Sequence, residues 1–88
     1  MSLEEKIKKA LETKTLVIGS RSVLKGIKNG KIEYVIYAKN CPDKIKNDLI
    51  RNAKLSNIQV EEFQGTGKQL GIFVAKPFAI AVLGIKKM

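Results

Sequence analysis

The sequence predicts an α/β fold: a single domain over residues 1–88, built as a three-layer α/β/α sandwich with helices on both faces of a four-stranded mixed sheet. Stretches with helical periodicity alternate with short apolar runs, and only a few residues connect them. The 88 residues, 44% hydrophobic and 28% charged, suit one modest core and argue against disorder.

The first helix and strand have clear local signals. Residues 3–12 place apolar side chains at i, i+4, i+7 and i+8, with Ser2 as a predicted N-cap and Glu5 completing a capping box. Residues 15–18 form a short β-branched run that Gly19 ends. Such a run is too short for a helix and predicts a buried strand.

The second helix–strand pair follows the same pattern. Residues 20–28 return to helical spacing, and Asn29-Gly30 ends this stretch in the manner of a helix C-cap. Residues 34–38 are again a continuous apolar run. The two stretches therefore predict a helix and a second strand.

A third pair begins at Pro42, which suits a first helical turn, with Asn40 or Cys41 as the residue before it. The following helix is predicted to bury apolar side chains between residues 45 and 53. Residues 60–63 then predict a short, half-polar strand.

The last pair starts with a second capping box, formed by Thr66 and Gln69. The helix that follows cannot continue through Pro77. Residues 78–85 have few polar side chains, so they predict a central strand.

The composition limits the setting in which the chain works. The longest apolar stretch is far shorter than the roughly 20 residues that span a bilayer, so we expect no membrane contact. One cysteine and no histidine argue for a reducing, cytoplasmic location and against a zinc site. No long exposed apolar stripe requires a dimer, so we expect a monomer in isolation.

The chain is strongly basic, because 17 Lys and Arg against 8 Asp and Glu give a net charge of +9. The excess is regional: residues 20–54 carry nine basic and three acidic side chains, whereas residues 1–19 carry four lysines and three glutamates. A cationic face attracts polyanions, and nucleic acid is the first partner to consider. The alternative is that the lysines only keep a small domain soluble.

Three features that could indicate catalysis are incomplete. The Gly65–Lys68 segment resembles the end of a phosphate-binding loop, but Glu62 and Gln69 stand where a Walker loop needs glycine and a hydroxyl residue. Cys41 could be a nucleophile at a helix start, but the chain has no histidine to act as its base. Glu61 and its neighbour point to opposite faces of a strand. The sequence predicts no enzyme, no cofactor and no metal site.

The second predicted helix carries a basic stripe. Arg21, Lys25 and Lys28 lie within about 60° of one another on its circumference, away from its apolar face. The stripe begins where Gly19, Ser20 and Arg21 leave backbone N–H groups unpaired at the positive end of the helix dipole. This arrangement suits phosphate oxygens, and a solvated helix face is the alternative.

Two further residues are candidates for contacts with nucleic acid. If the first two strands are parallel neighbours, Asn40 lies near Gly19, where its amide could bind a base edge or a ribose hydroxyl; alternatively, Asn40 caps the third helix. Phe78 follows the fourth helix, where its ring could stack on an unstacked base, or it could belong to the core.

Several motifs, in order along nearly the whole chain, resemble the kink-turn-binding ribosomal-protein superfamily, and within it the ribosomal-protein-thirty branch that archaea and eukaryotes share. The motifs are Thr15-Leu16-Val17-Ile18-Gly19, Lys25 through Asn29-Gly30-Lys31, Val35-Ile36-Tyr37-Ala38-Lys39-Asn40, Glu62-Phe63-Gln64-Gly65-Thr66, Gln69-Leu70-Gly71 and Lys76-Pro77-Phe78. The resemblance implies a non-catalytic sandwich in the large ribosomal subunit that binds a kink-turn internal loop of ribosomal RNA.

The resemblance also implies roles for individual residues. By position, Gly19, Ser20 and Arg21 match a strand-to-helix turn near the RNA backbone, and Lys25 and Lys28 match a basic helix face. Asn40 matches a polar contact, and Phe78 matches a ring that packs on an exposed base. Arg21-Ser22 stand where other kink-turn relatives carry Asn-Glu, which loosens the assignment of base-specific contacts. There are two alternatives. One is a non-ribosomal kink-turn protein of a guide-RNA or RNA-processing particle, and the other is a small phosphate-handling enzyme that uses the Gly65–Lys68 turn.

Overall fold

The computed structural model describes residues 2–87 and contains the four helices and four strands that the sequence predicts. The helices are α1 (Leu3–Glu12), α2 (Ser20–Lys28), α3 (Asp43–Leu55) and α4 (Gly67–Phe73). The strands are β1 (Leu16–Ile18), β2 (Ile32–Ala38), β3 (Gln59–Phe63) and β4 (Val82–Lys86). Helices and strands alternate along the chain, as predicted.

Side-chain hydrogen bonds define the starts of two helices. The Ser2 hydroxyl accepts the backbone N–H of Glu5 at 3.3 Å, which is only one half of the capping box predicted there. At α4 both halves form: Thr66 Oγ1 accepts the Gln69 N–H at 3.3 Å, and Gln69 Oε1 accepts the Thr66 N–H at 2.8 Å. The first turn of α4 is therefore well satisfied from within.

The sheet has the strand order β1-β4-β2-β3. β4 is antiparallel to both of its neighbours, and β2 is parallel to β3. β1 and β2 therefore run in the same direction, but they are not the neighbours that the placement of Asn40 near Gly19 assumed. The last strand of the chain, β4, lies between them and pairs with both, which confirms the predicted central strand.

A separate hydrophobic cluster lies on each face of the sheet. Ile7 of α1 and Leu70 of α4 are buried together on one face. Val23 of α2 and Leu49 of α3 are buried together on the other. Helices therefore cover both faces of a mixed sheet, which confirms the predicted three-layer sandwich.

One end of the sheet, where β2 and β3 begin, contains Tyr34. Its hydroxyl donates a hydrogen bond to the carboxylate of Glu61 on β3. Burial raises the pKa of Tyr34 to about 12, and the hydrogen bond and charge of Glu61 act in the same direction. Lys6 Nζ lies 4.5 Å from the centre of the Tyr34 ring. We call this the Tyr34 end of the sheet.

Candidate nucleic-acid interface

The opposite end of the sheet gathers four chain segments. β1, β2 and β3 end there and β4 begins there, because β4 is antiparallel to its neighbours. Backbone hydrogen bonds join the segments: the Gly19 N–H donates to Val82 O at 3.0 Å, and the Lys39 N–H donates to Gly65 O at 2.8 Å. We call residues 19–21, 39–40, 64–67 and 77–80 the rim.

The start of α2 leaves backbone donors unused. Gly19 is the N-cap, with φ 101° and ψ 142°, and no side chain caps the helix there. Its carbonyl oxygen accepts the Val23 N–H at 3.0 Å. Among residues 2–87, the N–H groups of Ser20, Arg21 and Ser22 have no hydrogen-bond acceptor. The prediction that the Gly19 N–H is also unpaired is wrong, because it bonds to the first residue of β4. Three donors at the positive end of a helix dipole suit an anionic ligand.

The basic stripe of α2 is exposed, as its spacing predicts. Arg21, Lys25 and Lys28 face solvent, while Val23 and Ile27 on the other side of the helix are buried. Within residues 2–87 the only ion pair joins a lysine and an aspartate of α3, so no carboxylate neutralises the stripe. The stripe therefore presents three uncompensated positive charges.

Asn40 has a different local role from the capping role considered in the sequence analysis. Pro42, rather than Asn40 or Cys41, is the N-cap residue of α3, and it has no side-chain cap hydrogen bond. Asn40 Oδ1 instead accepts the backbone N–H of Gly67, the first residue of α4, at 2.8 Å. The side chain is exposed, and within residues 2–87 its Nδ2 has no acceptor. Asn40 thus joins two segments of the rim and keeps a donor for a ligand.

Phe78 is exposed at the rim, with 54% of its surface accessible. The predicted strand over residues 78–85 is wrong in its first part, because β4 begins only at Val82. The Ile80 N–H donates to Gly67 O at 2.9 Å, so the preceding loop is bonded to α4 rather than to the sheet. The core alternative for Phe78 is therefore wrong.

The candidate residues divide between two adjoining places. Gly19, Ser20, Arg21, Asn40 and Phe78 lie on the rim. Lys25 and Lys28 continue the stripe along α2, and Lys28 is about 10 Å beyond Arg21 along the helix axis at 1.5 Å per residue. Ile72 of α4 is also exposed, with 68% of its surface accessible, and is not among the predicted site residues. Nothing in the sequence separates it from its apolar neighbours Leu70, Phe73 and Val74.

The structure gives two of the catalytic alternatives no support. In the Gly65–Lys68 segment, the N–H groups of Thr66 and Gly67 are bonded to Gln69 and Asn40, so neither is free to hold a phosphate. Cys41 is buried, and burial raises the pKa of its thiol, which disfavours the reactive thiolate. None of the helices within residues 2–87 has the length and hydrophobicity to cross a bilayer.

Fold and surface together define a small, basic α/β/α protein with free backbone donors, a polar side chain and an exposed aromatic ring at one end of the sheet. The chain belongs to the family described as Ribosomal protein L7Ae/L30e/S12e/Gadd45, whose model matches residues 1–88. This membership confirms the superfamily that the motifs resemble.

Three archaeal relatives each carry the name large ribosomal subunit protein eL30. The protein of Sulfurisphaera tokodaii is 37% identical, with 93% of this chain and 77% of the relative covered. The protein of Saccharolobus solfataricus is 38% identical, with 97% of this chain and 79% of the relative covered. The protein of Methanosphaera stadtmanae is 36% identical, with 99% of this chain and 89% of the relative covered. The relatives confirm the ribosomal-protein-thirty branch, and a family of ribosomal proteins confirms the prediction that the chain is not an enzyme.

Two solved structures share the fold. The 15.5kD RNA binding protein of Giardia lamblia superposes with a TM-score of 0.83 at 23% identity, with 98% of this chain and 72% of that chain covered. A Bacillus halodurans protein of unknown function superposes with a TM-score of 0.80 at 24% identity, with 89% and 77% covered. At these identities the likeness establishes the fold.

Proposed function

We propose that the protein is a structural, RNA-binding constituent of the large ribosomal subunit in the cytoplasm. In this proposal the rim and the α2 stripe bind a kink-turn-like internal loop of ribosomal RNA, with no cofactor. The observation that carries the proposal is the presence of free backbone donors and an exposed ring at the end of the sheet where the basic helix begins. The names of the archaeal relatives support the ribosomal setting.

The α2 stripe would supply affinity that depends little on sequence. Lys25 and Lys28 act as point charges on phosphates, while the Arg21 guanidinium can also make a forked contact to a phosphate or a guanine edge. The free N–H groups at the start of α2 add donors for the same phosphates. Because each phosphate contact releases counterions, this part of the affinity falls as the salt concentration rises.

The rim would supply the preference for a bent loop over a regular duplex. A continuous A-form helix keeps its bases stacked and offers nothing to the Phe78 ring, whereas a sharply bent internal loop exposes an unstacked base. The free Nδ2 of Asn40 can then donate to a base edge or a ribose hydroxyl near the bend. High-affinity binding therefore requires an RNA in which backbone phosphates and an unstacked base lie close together.

Binding titrations over a series of salt concentrations test this proposal. We compare an RNA hairpin containing a kink-turn internal loop with a fully paired duplex of the same length, and expect the wild type to prefer the loop. Arg21→Ala and Lys28→Ala should weaken binding to both RNAs and reduce the salt slope by about 0.7–0.9 for each lost phosphate contact. Phe78→Ala should raise the Kd for the loop roughly 5- to 150-fold, because stacking contributes about 1–3 kcal/mol per base, and should leave the salt slope unchanged.

Lys9→Ala is the charge-matched control, because Lys9 belongs to α1 on the other face of the sheet and lines a cleft at the Tyr34 end. The proposal is wrong if Arg21→Ala, Lys28→Ala and Phe78→Ala all bind like wild type. Fractionation tests the ribosomal setting: we expect the protein to co-sediment with the large subunit, and migration with a smaller RNA particle would favour the non-ribosomal alternative.

A further inference from the structure

Two glycines one turn apart on α4 touch the backbone of the loop that carries Phe78. A Cβ atom at Gly71 would overlap the carbonyl oxygen of Phe78 and would lie 3.6 Å from the Cα of Ala79. A Cβ atom at Gly67 would lie 2.9 Å from the carbonyl oxygen of Ile80. Backbone atoms cannot rotate aside as the end of a side chain can. A side chain at either glycine would therefore displace the loop.

The same two glycines hold both ends of that loop by hydrogen bonds. The Lys76 N–H donates to Gly71 O at 2.9 Å, and the Ile80 N–H donates to Gly67 O at 2.9 Å. The residues between these two bonds are 77–79, with Phe78 in the middle. The position of the exposed ring is therefore set by α4 from both sides.

Gly67 also reaches the neighbouring segment of the rim. Its N–H donates to Asn40 Oδ1 at 2.8 Å, while its carbonyl oxygen accepts from Ile80. One peptide segment of α4 thus bonds to the loop of Asn40 and to the loop of Phe78. Gly67 therefore fixes the position of Asn40 relative to Phe78, the two side chains that the proposed function assigns to the same RNA.

The other internal glycines with close neighbours in the core differ in this respect. A Cβ atom at Gly84 would meet the side chain of Val23 at 3.1 Å and that of Ile32 at 3.3 Å. A Cβ atom at Gly26 would also meet only Ile32 side-chain atoms. Gly84 and Gly26 pack the core on the α2 side of the sheet, whereas Gly67 and Gly71 contact the rim.

We propose that Gly67 and Gly71 are positioning residues for RNA recognition, which act by holding the Phe78 ring at a set place relative to Asn40. This inference rests on the proposed function and deepens it. Neither glycine needs to touch RNA. A methyl group at Gly71 shifts the loop and removes the stacking contact, and one at Gly67 acts on the same loop from its other end.

A double-mutant cycle tests the positioning role. We measure the Kd of the kink-turn hairpin for wild type, Gly71→Ala, Phe78→Ala and the double variant. Each single variant should raise the Kd about tenfold with an unchanged salt slope, and the double variant should bind no more weakly than Phe78→Ala alone. The matched control, Gly84→Ala, should lower the melting temperature and leave the Kd unchanged.

Gly67→Ala provides a second variant should Gly71→Ala not fold, and it should show the same dependence on Phe78. Losses that add in the double variant, or a Kd that follows only the folded fraction seen by circular dichroism, would overturn the positioning role and leave the proposed function intact. Equal binding by wild type and Phe78→Ala would instead overturn the part of the proposed function that assigns Phe78, and with it the positioning role.

Discussion

Two strand-to-helix turns of this protein have the same short sequence pattern, a glycine followed by a hydroxyl residue, yet they use their backbone donors differently. At the Gly19-Ser20 turn before α2, the glycine is the N-cap and no side chain bonds to the helix start. At the Gly65-Thr66 turn before α4, the hydroxyl residue is the N-cap and forms a complete capping box with Gln69. The turn before α2 leaves its backbone N–H donors free, whereas the turn before α4 uses backbone N–H donors in hydrogen bonds within the protein.

A one-residue shift of the cap explains the difference. Where glycine is the N-cap, no side-chain oxygen can reach back to the helix, so the first donors of α2 keep their capacity to bind. Where threonine is the N-cap, two of the first three backbone donors of α4 are bonded: the Gln69 N–H to Thr66 Oγ1 and the Gly67 N–H to Asn40 Oδ1. A glycine–hydroxyl turn can therefore serve as a ligand site or as a structural joint, depending on which of the two residues caps the helix.

The largest effect should come from Gly19→Ala. A φ of 101° is strained for any residue with a side chain, although the space around Gly19 is open. We expect a loss of about 1–3 kcal/mol in the free energy of unfolding. Urea titration followed by circular dichroism measures it. An unchanged midpoint would mean that the turn adopts another conformation at no cost, and that the geometry of the first turn is not essential.

A smaller effect should distinguish the two hydroxyl residues in stability. Thr66→Ala removes an N-cap and should lower the free energy of unfolding by about 1 kcal/mol. Ser20→Ala removes a hydroxyl that caps nothing and should change it by less than about 0.5 kcal/mol. Urea titrations of the matched pair provide the measurement, and equal losses would contradict the distinction between the turns.

The same pair should reverse its order in RNA binding. Ser20→Ala should weaken binding of the kink-turn hairpin by about 0.5–1.5 kcal/mol if the Ser20 hydroxyl bonds the RNA. Thr66→Ala should change the Kd less than about twofold, because the bonds of Gly67 to Asn40 and Ile80 still hold the start of α4. Binding measured at one temperature, well below both melting points, provides the test. A larger loss of affinity for Thr66→Ala than for Ser20→Ala would show that the RNA binds at the Gly65-Thr66 turn and that the proposed site at the Gly19-Ser20 turn is wrong.

The smallest effect on RNA affinity should come from Tyr34→Phe, at the end of the sheet away from both turns. RNA affinity should not change. Because folding raises the pKa of Tyr34 from 10.0 to about 12, the protonated hydroxyl stabilises the fold below pH 10, and this contribution is lost between pH 10 and about 12. Unfolding titrations should therefore show wild type losing stability relative to Tyr34→Phe over that range, and parallel curves would contradict the expectation.

Much of the fold could be predicted because it depends on local patterns. The start of α1 and the capping box of α4 follow from residues three positions apart, and the buried and exposed faces of α2 follow from its periodicity. The start of β4 could not be predicted in the same way. Residues 78–80 are apolar enough for a strand, but the hydrogen bond between Ile80 and Gly67 keeps them in the loop.

The candidate site was predictable in part for the same reason. The basic stripe from Arg21 to Lys28 is a property of one helix and needs no partner to be recognised. The role of Asn40 depends on Gly67, which lies 27 residues further along the chain. No local pattern distinguishes an asparagine that caps the next helix from one that accepts a hydrogen bond from a later one.

The amino-acid sequence alone predicts the order and kind of the secondary-structure elements, the excess of positive charge and the basic face of α2. These depend on residues within a turn or two of one another. Only the tertiary structure decided that β4 lies between β1 and β2, that Asn40 bonds to α4 and that the Phe78 ring faces solvent. The physical reason is that strand order and loop contacts depend on pairings between segments distant in the chain, and several such pairings satisfy the same local pattern equally well.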